Sequence, residues 1–145
     1  MGKTVTFCGH RELSSEETVP LRVKLYTIIE ELILGGATEF LLGGYGKFDL
    51  LCASVIREFK RKYPSVCSVL VKAYLNQKYD ETLYDITEYP PLEKVPKTLA
   101  IIKRNQYMIE KSDVVVSYVL FSFGGAAKTL EYAIKKRKTV IRIRV

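Results

Sequence analysis

No stretch of this sequence holds the roughly 18 consecutive apolar residues that a membrane-spanning helix requires. Met1-Gly2-Lys3-Thr4 runs directly into a strand-like segment without the apolar core of a signal peptide, so the expectation is a cytoplasmic protein. Cysteine is scarce. Cys8, Cys52 and Cys67 are odd in number, widely spaced and without a C-x-x-C pair, a pattern that suits reduced, mostly buried thiols rather than a disulfide or zinc framework. His10 is the single histidine, which argues against a His-rich metal site; neither metal nor cofactor is expected. Internal repeats and low-complexity tracts are also missing.

What is present is a chain of 145 residues with 48% hydrophobic content, enough for a full core, and the expectation is one domain over residues 1–145. Its net charge of +7 favours anionic partners: nucleotides, nucleic acid or an acidic protein. The basic residues gather in Arg57-Glu58-Phe59-Lys60-Arg61-Lys62 and Lys135-Lys136-Arg137-Lys138, each where a helix ends. Cations at helix C-termini complement the dipole, so a solvated helix end is favoured there over a nucleic-acid patch.

The run from Thr4 to Cys8 is β-branched and stops at Gly9, the pattern of a first parallel strand. Ser14 and Glu17 have capping-box spacing, and Leu21, Leu25, Ile28, Ile29, Leu32 and Ile33 recur at helical intervals until Gly35-Gly36. Thr38 to Leu42 reads as a second strand, followed by Gly43-Gly44-Tyr45-Gly46-Lys47 and a helix with Phe48, Cys52, Val55, Ile56 and Phe59 on one face. Val66 to Leu75 supplies a third strand. Asn76 to Pro96 then breaks the period as a long connection without clear elements, of the kind that is often functional. A helix over about Lys97 to Lys111, a strand from Asp113 to Val119, a glycine loop, a helix to about Arg137 and an edge strand from Thr139 to Arg144 complete the chain. Alternating strands and helices with right-handed crossovers predict an α/β fold, a doubly wound, mainly parallel sheet of about five strands with helices on both faces.

Ligands in such sheets bind beyond the strand carboxyl ends, where the strand order reverses. With the first strand beside the one from Asp113 to Val119, three loops converge: Gly9-His10-Arg11, Gly43-Gly44-Tyr45-Gly46 and Gly124-Gly125. Val115 to Glu131 runs as a buried strand, a loop ending in two glycines and a helix start; free N–H groups and a helix dipole there suit phosphate or carboxylate. The plainer reading is a turn and nothing more. Arg11 offers a bidentate cation or pairs with Glu12 or Glu16. His10 fits orientation of a neighbour better than a role as base. Asp49, in the first turn of its helix, either stabilises the dipole or binds a ribose hydroxyl. Arg104 and Asn105 reach the crevice rim if Ile101 and Met108 face the core. Glu131 meets ribose, acts as a general base, or pairs with Lys128 or Lys135.

Taken together, Thr6-Phe7-Cys8-Gly9-His10-Arg11, Gly43-Gly44-Tyr45-Gly46-Lys47-Phe48-Asp49, Tyr89-Pro90-Pro91-Leu92-Glu93, Lys103-Arg104-Asn105-Gln106-Tyr107-Met108 and the Gly124-Gly125 segment resemble the YpsA-like branch of the SLOG superfamily. The resemblance implies a Rossmann-like fold. The superfamily groups sensors of nucleotide-derived ligands with the LOG phosphoribohydrolases and a single-stranded DNA-binding protein of natural transformation, and its members commonly form homo-oligomers. It implies binding of a nucleotide or phosphoribosyl ligand by Gly9, His10, Arg11, Gly43, Gly44, Gly46, Asp49, Asn105, Gly124, Gly125, Lys128 and Thr129. The LOG pattern P-G-G-x-G-T-x-x-E, preceded by an arginine, would assign Arg104 and Glu131 to cleavage of an N-glycosidic bond. Here Phe123 replaces the proline, Ala127 a glycine and Lys128 the threonine, so hydrolysis and nucleic-acid binding stand as alternatives to ligand binding.

Overall fold

A computed structural model describes residues 2–145. In chain order it contains β1 (Lys3–Gly9), α1 (Ser15–Leu34), β2 (Ala37–Leu42), α2 (Lys47–Phe59), β3 (Cys67–Val71), β4 (Ile86–Glu88), α3 (Lys97–Lys111), β5 (Val114–Tyr118), α4 (Gly125–Lys135) and β6 (Thr139–Arg142). The strands form one sheet in the order β4-β3-β2-β1-β5-β6, every neighbouring pair parallel. The doubly wound α/β architecture is therefore the observed one.

Strand residues divide strictly between the two faces, as a period of two requires. Val5 and Phe7 of β1, Phe40 and Leu42 of β2, and Val114, Val116 and Tyr118 of β5 pack in one cluster with Leu21, Leu25 and Ile29 of α1 and Phe48, Cys52 and Phe59 of α2. The intervening Cys8 and Val115 pack with Ile109 and Ala133, and Leu41, Val69 and Val71 with Met108, beneath α3 and α4 on the opposite face. Burial on both faces explains the continuous apolar runs of the central strands.

The sheet has six strands where the sequence predicts about five. The extra one, Ile86–Glu88, lies inside the segment taken for a connection without elements. It pairs with β3 through Val69↔Ile86, Leu70↔Thr87 and Val71↔Glu88. Three residues, two of them exposed, are too few to print an alternation, and an edge position asks for none. β3 itself is shorter than its apolar run. After Val71 the Lys72 N–H still reaches the Glu88 carbonyl at 2.8 Å, but the chain then turns away and leaves Leu75 exposed. At the other edge β6 ends at Arg142 rather than Arg144, with exposed Thr139 and Arg142 flanking half-buried Val140 and Ile141.

The start of α1 follows its capping signal: Ser14 is extended, and its Oγ accepts the Glu17 N–H at 3.2 Å. Ser14→Ala is expected to lower the unfolding free energy by about 1 kcal/mol, read as an earlier urea midpoint at unchanged slope.

Candidate functional site

β1 and β5 lie side by side with Gly9 opposite Tyr118, and the chain leaves these two ends in opposite directions across the sheet. The loops that diverge there, with the loop after β2 and one face of α3, enclose a crevice of about 450 Å³. Gly9, His10, Arg11, Gly43, Asp49, Arg104, Asn105, Gly124, Gly125 and Thr129 line it. Gly44 and Gly46 stand behind the lining, and Lys128 and Glu131 are exposed outside it. The structure thus brings Arg104 to the crevice and leaves Glu131 outside. Among the described residues Glu131 pairs with neither Lys128 nor Lys135.

Arg104 follows Ala100 and precedes Met108 on the buried stripe of α3, and only 2% of it is exposed. Its Nη1 donates to the Gly43 carbonyl at 2.8 Å and to the Val71 carbonyl at 3.0 Å, and its Nε donates to Asn105 Oδ1 at 2.9 Å. The Tyr45 ring lies 5.5 Å from the guanidinium carbon. Burial pulls its pKa down and the nearby Asp49 opposes that, yet an arginine this far from neutrality stays charged. Nη2 has no hydrogen-bond partner among the described residues, so a buried cation presents two free donors beside the crevice. Arg11 is exposed, pairs with neither Glu12 nor Glu16, and has the other approach to Tyr45, at 6.0 Å.

Two helices begin at this crevice, and their N-termini differ. The first amides of α2 are already taken: Lys47 N–H donates to the Arg11 carbonyl at 2.8 Å and Phe48 N–H to the His10 carbonyl at 3.4 Å. That tie brings Gly46, at φ 88°, so close to Arg11 that a Cβ would sit 2.9 Å from the Arg11 Cα. α4 has no side-chain cap at Gly124, and no acceptor among the described residues meets the amides of Gly125, Ala126 and Ala127. Its positive end is the open one.

The glycines divide the same way. A Cβ on Gly9 would lie 2.2 Å from the Phe48 ring, and one on Gly43 would lie 2.8 Å from the Arg104 guanidinium carbon, so protein atoms fill both spaces. At Gly124, where φ is 94°, and at Gly125, nothing lies within 4 Å. Only the second pair leaves room for something from outside.

His10 Nε2 accepts the Leu120 N–H at 2.7 Å, which pins the β5–α4 loop to the β1 loop. Asp49 sits in the first turn of α2 and accepts the Gly44 N–H. Burial pushes its carboxyl up to about 6, against the pull of the Gly44 and Gly43 amides and Arg104. Four lining or supporting residues were not among the sequence's site candidates: Tyr45 beneath the two guanidiniums, Gln77, whose Nε2 donates to the Gly43 carbonyl at 2.9 Å, and Phe121 and Phe123, stacked on the rim. Tyr45 was legible as the sole side chain inside a glycine loop, and the phenylalanines as aromatics in a turn. Gln77 left no signal, because its role depends on a distant carbonyl.

The chain matches no protein-family model and no curated protein sequence. Solved structures do resemble it. DNA processing protein A from Helicobacter pylori, described for its single-stranded DNA binding mode, aligns with a TM-score of 0.67 at 18% identity over 99% of this chain and 66% of that one. TM1055 aligns with a TM-score of 0.65 at 19% identity, over 95% of this chain and 72% of the other. The Moco carrier protein from Chlamydomonas reinhardtii gives 0.58 at 16% identity, covering 99% and 76%. This chain therefore spans just under two thirds of the first of these proteins. At such identities the likeness establishes the fold alone, the Rossmann-like α/β architecture that the sequence predicts.

Two predictions follow from this geometry. Gly9→Ala must displace the Phe48 ring and is expected to cost about 1–3 kcal/mol in urea unfolding, whereas Gly125→Ala changes stability by less than about 0.5 kcal/mol. A carboxyl whose pKa rises on folding contributes stability that is complete below its ordinary value of 3.8 and is lost as the pH climbs through about 6. Asp49→Asn abolishes that loss. Its stability relative to the parent protein should increase between pH 4 and pH 7 by up to about 3 kcal/mol, and parallel pH profiles for the two proteins would refute the assignment.

Proposed function

We propose that residues 1–145 form one binding domain, of the YpsA-like kind, for a nucleotide or nucleotide-derived phosphoribosyl ligand held in the β1–β5 crevice. The observation that carries this reading is the pair of free Arg104 Nη2 donors on a guanidinium otherwise locked to the backbone, facing the same crevice as the uncapped α4 N-terminus. A buried cation with unused donors and a helix end with unused amides share one complementary group, an anion with several acceptor oxygens. Arg11, exposed and free of carboxylate partners, supplies a second guanidinium at the mouth. Asp49 and Asn105 add acceptors suited to ribose hydroxyls.

Two of the structural neighbours are named for what they bind or carry, single-stranded DNA and Moco, which supports binding as the common theme of the fold. Retention is favoured over turnover because Glu131, the residue a LOG-type cleavage would use, is outside the crevice lining. No helix among the described residues is long and apolar enough to cross a membrane.

The test is a thermal-shift titration against nucleoside monophosphates, ribose 5-phosphate, ADP-ribose and NAD, with each mixture then chromatographed for free base. A melting temperature that rises with ligand concentration while the ligand stays intact is the expected result. Arg11→Ala should bind about tenfold more weakly with an unchanged melting temperature of the free protein. Released base would transfer the assignment to N-glycosidic cleavage by Arg104 and Glu131, and no shift with any of these compounds would overturn the reading.

A further inference from the structure

The loop between β5 and α4 carries an aromatic arrangement that phosphate binding does not require. Phe121 and Phe123 stack with their centroids 5.3 Å apart and their planes 19° from parallel, although 54% and 72% of these residues are exposed. On the inner side the His10 ring lies 5.1 Å from Phe121, so three rings follow one another outward from the crevice floor. The hydrogen bond from Leu120 N–H to His10 Nε2 fixes the base of this row. Its outer member is the most exposed large apolar side chain of the described residues and immediately precedes Gly124, which sits just before α4 and offers it no side-chain cap. Both phenylalanines line the crevice.

Two exposed, mutually stacked phenylalanines on a turn leave apolar area in water that an α/β fold has no internal use for. The adjoining feature limits what covers them. An anion site is one residue away on the same backbone, so the occupant joins a flat, apolar, π-bearing surface to a phosphate within the reach of a sugar. We propose that Phe121 and Phe123 are the stacking platform for the nucleobase of a mononucleotide whose phosphate occupies the α4 N-terminus. The base is then recognised by its face, as another ring added to the row, and its ribose spans the distance to the anion site. This inference rests on the phosphoribosyl reading above and adds to it the requirement for a base.

The experiment is isothermal titration of the full chain with AMP and with ribose 5-phosphate, which differ only in the base. Stacking on an aromatic platform is expected to make AMP bind about ten- to a hundredfold more tightly. The double variant Phe121→Leu/Phe123→Leu keeps the loop apolar and removes the rings, and the ratio between the two ligands should fall to near one. In the parent protein, AMP and not ribose 5-phosphate should shift the phenylalanine ring proton resonances upfield, a ring-current signature that a purely structural role of the loop would not produce.

A ratio near one in the parent protein, or a leucine variant that retains the parent ratio, overturns the platform while leaving the phosphoribosyl reading intact. If neither compound binds, the platform for a mononucleotide falls, and the phosphoribosyl reading falls with it when ADP-ribose and NAD also leave the melting temperature unchanged. Tight binding of a single-stranded oligonucleotide in the absence of any AMP binding overturns the mononucleotide assignment in favour of a strand.

Discussion

The crevice depends on one buried guanidinium. Arg104 crosses from α3 to the carbonyls of Gly43 and Val71, the points at which β2 and β3 release the chain, and so fastens a helix to two strand ends at once. A buried charge costs free energy unless hydrogen bonds and counter-charge offset it, and removing its partners leaves it uncompensated. Here two carbonyls, Asn105 and the Tyr45 ring provide the compensation, with Asp49 close enough to act through its field. Gly43 is glycine because the guanidinium lies where its side chain would be. The same geometry that makes Arg104 structural leaves Nη2 unspent beside the crevice.

Around that fixed point the site separates into a closed half and an open half. The β1 and β2 loops are tied by Lys47 and Phe48 amides to His10 and Arg11 carbonyls, with Gly9 and Gly46 allowing contacts too close for any side chain. This half is saturated with internal bonds and behaves as a wall. The β5–α4 loop bonds across to that wall at His10 and ends in two glycines at which a Cβ would meet nothing within 4 Å. Asp49 belongs to the wall yet titrates near 6, because it is desolvated without forming an ion pair. A carboxylate held in that state opposes an anion at its fullest charge and tolerates a ribose.

How much of this was legible follows from which interactions are local. Strand and helix order came through because periodicity and capping are written within a few residues, as in Ser14 with Glu17 or the Leu21, Leu25, Ile29 stripe. The meeting of three loops was legible too, since parallel topology places strand carboxyl ends together whatever the side chains. β4 was hidden because a three-residue edge strand buries too little to impose a pattern. The meaning of Gly9 and Gly43 was hidden for a different reason. Their neighbours, Phe48 and Arg104, lie 39 and 61 residues away, and a glycine that admits protein reads the same as one that admits a ligand.

That ambiguity matters most at the departures from the LOG pattern. In the sequence Phe123 registers only as the residue that stands in place of the proline. In the folded chain Phe123 extends a row begun by His10 and Phe121, so the substitution adds a surface instead of merely removing a constraint. The Ala127 side chain, in place of a glycine, is buried against the protein, while the open approach to the helix end runs past Gly124 and Gly125. Lys128 projects outside the crevice and takes no part in its lining. The changed positions therefore leave the N-terminal amides of α4 free and alter what surrounds them. A cleavage site needs its acid or base at the bond to be broken, whereas a binding site needs only surface and charge in register. Glu131 lies exposed outside the crevice lining, whereas His10, Phe121 and Phe123 all belong to it, and that division is what favours retention over cleavage in the proposed reading.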